Sequence, residues 1–93
     1  MVTEAEDDFQ RWVTDFADWH GWAWYHVTDS RKTKPGFPDL VLVRERVLYR
    51  ELKTDTGRLT PEQAGWLNRL TAAGADAGVW RPRDRAVIEK ELQ

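Results

Sequence analysis

Asp39, Glu51 and Lys53 are the residues of this chain whose types and spacing could do chemistry. They lie on two runs rich in β-formers, Asp39 to Val43 and Val47 to Lys53, which flank the charged turn Arg44 to Arg46 and predict a β-hairpin. Side chains alternate faces along a strand. Asp39, Val41 and Val43 therefore share one face of the first strand, and Val47, Tyr49, Glu51 and Lys53 share a face of the second, while Leu40, Leu42, Leu48 and Leu52 point away. A plain hairpin would not aim two acids and a lysine inward beside valine and tyrosine. Hard divalent cations such as Mg²⁺ take carboxylate and carbonyl oxygens. Asp39, Glu51 and the Leu52 carbonyl could supply three of them. A cation held there would lower the pKa of a bound water and neutralise charge on a phosphate. Lys53, projecting beside Glu51, could orient that water or stabilise charge in the transition state. Metal-assisted phosphodiester cleavage needs this set of groups.

Pro38-Asp39, a second strand, and then Glu51-Leu52-Lys53 resemble the PD-(D/E)xK nuclease motif. The surrounding residues resemble one branch of it, the VRR-NUC (virus-type replication-repair nuclease) family. The matching parts are Gly36-Phe37-Pro38-Asp39, Glu51-Leu52-Lys53, Leu59-Thr60-Pro61-Glu62-Gln63, Trp66 and Gly74. The Glu-x-Lys triplet alone is common, but the ordered set is specific and extends over nearly the whole chain. The resemblance implies a restriction-endonuclease-like core and a stand-alone domain of the small phage or bacterial kind. It implies Mg²⁺ or Mn²⁺ as cofactor and an auxiliary role for Gln63 near the metal. It also implies an acid on the first helix, three residues before Phe9-Gln10. Glu6 fits that place, with Glu4 and Asp8 as competitors. A His and a Ser recur before the Gly-Phe-Pro-Asp motif in phage-type relatives, which points to His26 and Ser30 as contacts to the phosphate.

The elements that must position these groups are legible in order. Thr3 is a plausible N-cap with Glu6 three residues on, a capping box, and acids in a first turn suit the helix dipole. Phe9, Trp12, Val13, Phe16 and Ala17 recur at helical spacing until Gly21. Trp22 to Val27 reads as an aromatic strand. Arg31 to Gly36, with Lys32, Lys34 and Pro35, reads as a basic loop; such a loop is usually only solvated, but beside a nuclease pocket it would grip the DNA backbone. Thr60 with Pro61 starts a second helix, in which Gln63 could serve as half of a capping box, as a site residue, or as both. Leu59, Trp66, Leu67 and Leu70 form its apolar stripe and Gly74 ends it. Ala75 to Arg81 is a last strand, and Arg83 to Leu92 a terminal helix. The order α-β-β-β-α-β-α predicts an α/β fold with a small mixed sheet flanked by helices.

Length and charge set the limits. Ninety-three residues predict one domain spanning 1–93, with a core modest enough to leave room for a partner subunit. The absence of cysteine excludes disulfides and thiolate zinc sites. No apolar run approaches membrane-spanning length and no signal pattern opens the chain, so the expectation is a cytoplasmic protein of a bacterial or phage-infected cell with no membrane contact. The net charge of −2 argues mildly against nucleic acid. Its distribution softens this: Glu4, Glu6, Asp7, Asp8, Asp15 and Asp18 crowd the first segment, and Arg31, Lys32, Lys34, Arg44, Arg46, Arg50, Lys53 and Arg58 crowd the middle. An acidic pocket rimmed by bases would bind DNA through local phosphate contacts. The six tryptophans exceed what a small core needs, so some could form a dimer contact or a base-stacking surface. The resulting expectation is a metal-dependent DNA endonuclease. By resemblance it is a homodimer acting on branched DNA such as a Holliday junction, with flap, fork or duplex nicking as one alternative and a non-catalytic DNA-binding module as the other.

Overall fold

Apolar residues three and four apart make residues 6–19 a helix with one buried face. In the computed structural model, which describes residues 5–27 and 34–93, this helix is α1 (Glu6–Trp19), burying Phe9, Val13, Thr14 and Ala17. Its N-cap is Ala5, without a side-chain cap bond, so the capping box expected from Thr3 and Glu6 is not how the helix starts. Glu6 is the first helical residue, two positions short of the place from which a box acid reaches back. Thr3 itself lies outside the described residues.

Three antiparallel strands follow: β1 (Ala23–His26), β2 (Leu40–Val43) and β3 (Val47–Leu52). Helix α2 (Pro61–Ala72) then crosses over to β4 (Asp76–Trp80), which pairs parallel to β3, as a strand–helix–strand connection requires. The sheet order is β1-β2-β3-β4. A short 3₁₀ turn, Pro82–Asp84, precedes α3 (Arg85–Leu92), so the terminal helix begins two residues later than the sequence suggested. The fold is a mixed four-stranded sheet flanked by helices, in the expected order of elements.

The predicted alternation of faces decides what packs where. Leu40, Leu42, Leu48, Leu52 and Trp80 meet Phe9, Val13 and Ala17 of α1, Trp22, and Ile88 and Leu92 of α3 in one core. The opposite face carries Tyr49 and Glu51, and α2 reaches it: Gln63 bonds Glu51, and Trp66 packs on Phe37, which packs on Tyr49. No helix is long and apolar enough to cross a membrane among the described residues.

Three of the bases expected to rim an acidic pocket have other work. At the hairpin turn, Arg44 donates to the carbonyls of His20 (2.8 Å), Leu92 (3.2 Å) and Gln93 (3.0 Å), and Arg46 to that of Glu91 (2.8 Å). Arg50 is 5% exposed and paired with Asp76 (2.8 Å) and Glu91 (2.9 Å). A helix leaves its last carbonyls unsatisfied. The arginine forks satisfy those of α3, and the Arg44 and Arg46 guanidiniums lie over the Trp22 ring at 4.6 and 5.5 Å. Arg44 and Arg46 close the fold at the hairpin turn, and Arg50, although next to Glu51 in the chain, points to the opposite face of the sheet.

Candidate active site

The other end of the hairpin holds the acids. Asp39 immediately precedes β2, Glu51 is near the end of β3 and Glu6 opens α1; one carboxylate oxygen from each lies within 4.8 Å of the others. The β2–β3 register ends at Leu40 opposite Arg50. Beyond it the Asp39 carboxylate stands in for a backbone acceptor, since Oδ2 accepts the Leu52 N–H at 2.9 Å. The Asp39 carbonyl accepts from Val27 N–H at 2.7 Å, so this residue is tied to strands on both sides. A strand residue's N–H and C=O point to the same edge. The Leu52 carbonyl is therefore on the Asp39 side of β3.

Glu51 is the most constrained of the three. Its side chain is 2% exposed; Oε2 accepts from Gln63 Nε2 at 3.1 Å, while Oε1 is buried with no hydrogen-bond partner. Burial, and then the neighbouring Asp39, push its pKa up from 4.5 to about 8; Lys53 opposes the rise and Glu6 adds to it. An orphaned buried oxygen on a carboxylate that lies beside two others is a poor arrangement for a bare protein. It is a good one for a hard divalent cation, which takes several oxygen ligands. Asp8 is absent from this cluster and Glu4 lies outside the described residues.

Gln63 answers the alternatives left open by its position. Its Oε1 accepts from Thr60 N–H (2.9 Å) while Thr60 Oγ1 accepts from Gln63 N–H (3.1 Å), a complete capping box. The amide nitrogen left over is the one that meets Glu51. One side chain thus starts α2 and holds Glu51. Gly36 explains why α2 begins so close: at φ +94° its backbone packs on the first turn, and a Cβ would sit 2.5 Å from the Glu62 carbonyl carbon and 2.8 Å from Gln63 N. Only glycine allows that approach.

The remaining expected residues are spread unevenly. Lys53 is partly buried, close enough to Glu51 to act on its charge, with Cδ packed over Gly57. His26 and Lys34 line an open groove of about 770 Å³ together with Asp39, Phe37, Gln63 and Trp66. Arg58 is exposed and is not part of that lining. Ser30, Arg31 and Lys32 lie outside the described residues. Arg81 carried no signal in the sequence, being a charged residue at a strand end before Pro82. Its Nη1 donates to the carbonyls of Thr54 (2.6 Å) and Gly57 (2.7 Å), closing the turn that follows Lys53.

Asp39, Glu51 and Lys53 of the hairpin are thus joined by Glu6 from the preceding helix and Gln63 from the next one, and the family match supports a nuclease of the PD-(D/E)xK type. The chain belongs to the VRR-NUC family: the model of the VRR-NUC domain matches residues 3–84. Among solved structures, a VRR_NUC domain protein is similar over 97% of this chain and 88% of its own, at 22% identity and a TM-score of 0.73. The Hjc Holliday junction resolvase of Archaeoglobus fulgidus is similar over 83% of this chain and 69% of its own, at 21% identity and a TM-score of 0.59. At such identities these likenesses speak for the fold. No curated protein matches the chain.

Proposed function

We propose that this protein is a Mg²⁺- or Mn²⁺-dependent endonuclease that hydrolyses phosphodiester bonds in branched DNA. The observation that carries the metal dependence is the buried, unpartnered Oε1 of Glu51 within a cluster formed with Glu6 and Asp39. Glu6, Asp39, Glu51 and the Leu52 carbonyl would hold the cation. When bound, it supplies positive charge to the scissile phosphate and acidifies a water.

The chain's own groups account for the rest. The Leu52 N–H fixes Asp39 and the Gln63 amide fixes Glu51, so the carboxylates are set before substrate arrives. Lys53 orients the attacking water and offsets negative charge on the phosphate as it passes through its transition state. Water oxygen bonds to phosphorus and gives up one proton to solvent, one P–O bond to the sugar breaks, and the leaving oxygen takes a proton from solvent. Lys34 and His26, on the groove beside Asp39, are placed to hold the strand being cut. Arg31, Lys32 and Ser30 between them belong to the same role, and Arg58 to a more distant phosphate.

Branched DNA is favoured over plain duplex by the likeness in fold to a resolvase. Paired cuts in opposed strands of a Holliday junction require two sites, which a homodimer provides. The test is cleavage of labelled four-way junction, flap, fork and linear duplex in Mg²⁺, Mn²⁺ or EDTA, by wild type and Lys53→Ala. Paired symmetric cuts on the junction alone, lost with EDTA and in the variant, are expected. Cutting spread across all substrates would replace the resolvase by a flap, fork or nicking nuclease. Junction binding without metal-dependent cutting would leave a binding module.

A further inference from the structure

The groove beside the carboxylates has an aromatic wall that hydrolysis does not require. Phe37 lies two residues before Asp39, and Trp66 lies one turn beyond Gln63; both rings line the groove while remaining only partly buried. They are held firmly. The rings meet edge to face, with centroids 5.1 Å apart and planes at 74°, and Phe37 is backed by Tyr49 at 6.1 Å and 86°. Trp66 Nε1 donates to the Pro35 carbonyl at 3.1 Å, which ties the ring to the loop carrying Lys34. Of the other tryptophans, Trp22 and Trp80 are buried in the core, Trp12 packs against it, Trp19 stands 86% exposed at the far end of α1, and Trp24 on β1 donates to Asp18 at 2.9 Å and does not line the groove. Trp66 is thus the tryptophan that shares a cavity with a proposed catalytic carboxylate.

Resting on the nuclease reading, we propose that this groove is a pocket for one unpaired nucleobase next to the phosphate being cut. A stacked base offers a π-face to fixed aromatic rings whatever its identity. The groove, about 770 Å³, has room for a nucleotide, and His26 is among its lining residues as a hydrogen-bonding group for a base edge. Lys34 at the mouth supplies a positive charge for the adjoining phosphate. A base can enter only if it is out of the helical stack, and displacing one costs least where it is already unpaired. The preferred substrate is therefore one in which a base at the cut is unpaired or easily freed from the stack, as at a branch point or bulge, rather than continuous duplex.

The test uses wild type and two labelled duplexes that each carry a one-nucleotide bulge, with a base in one and an abasic residue in the other. Binding is measured in Ca²⁺ and cleavage in Mg²⁺ or Mn²⁺. The base-bearing bulge should bind about ten-fold more tightly, the factor that one good base–aromatic stack is worth. The difference should shrink in Phe37→Leu, which keeps an apolar side chain without the aromatic face. Equal affinity of wild type for the two bulges would overturn the pocket, whether or not either is cut. A clear preference in binding with no cutting in either metal would keep the pocket and remove the nuclease reading.

Discussion

Glu51 carries a conflict between stability and function that a single substitution can expose. Its pKa of about 8 lies above the ordinary 4.5, so between these pH values the folded protein holds a proton that the unfolded chain has released. Stability without metal is then fully present below the lower value and is lost as pH rises through the upper one. Wild type in EDTA should melt lower at pH 9 than at pH 5 by roughly 5 °C or more, and Glu51→Gln should flatten that slope. The same variant should lose metal binding and cleavage. Scanning calorimetry across pH checks the first half; a slope unchanged by the substitution would mean that Glu51 is not the buried acid responsible. A ligand carboxylate must ionise to take a cation. Titration of Mg²⁺ or Mn²⁺ at pH 7 should therefore release close to one proton, seen as a binding heat that changes with the ionisation enthalpy of the buffer.

At the scale of elements, helix α2 and the Gly36 turn act as one piece. The Gly36 backbone lies so close to Glu62 and Gln63 that Gly36→Ala must push the helix start away, and Gln63 with it, from Glu51. Cleavage should fall at least ten-fold while the far-ultraviolet circular dichroism stays that of wild type; retention of full activity would separate the turn from the site. Gln63→Ala should cost about 1 kcal/mol of stability through the lost cap, whereas Gln63→Glu keeps the acceptor of the cap and loses the amide donor to Glu51. Urea unfolding of the two variants should thus rank the alanine protein lower, while both cut poorly. Much of this arrangement was legible beforehand. Alternation along two strands separated the leucine face from the Asp39–Glu51 face, and Thr60-Pro61 marked the start of α2. The arginines were not legible, because sequence alone shows a basic run and not which carbonyls lie within reach. Arg44, Arg46 and Arg50 count towards local charge yet are occupied by the end of α3 and by Asp76. Glu6 lay between two roles, and only the true helix start released it from the cap.

For the molecule as a whole, the question is whether one copy or two do the cutting. One protomer of 93 residues presents a single carboxylate cluster among its described residues. It can make one incision per encounter, whereas resolution of a four-way junction needs two in opposed strands. A supercoiled plasmid that extrudes a cruciform separates the cases, because the first nick releases the supercoiling and removes the junction. Two sites acting within the lifetime of one complex should yield linear plasmid with little nicked circle. A monomer should build up nicked circle first, with linear product slow or absent. Mixing wild type with an excess of Lys53→Ala protein sharpens the reading. In a homodimer most wild-type subunits then pair with an inactive one, and the product should shift from linear to nicked circle at unchanged wild-type concentration. In a monomer the added protein can only compete for substrate, which lowers the rate and leaves the ratio of products as it was. A shift in that ratio supports the homodimeric resolvase; a fall in rate alone supports the nicking enzyme.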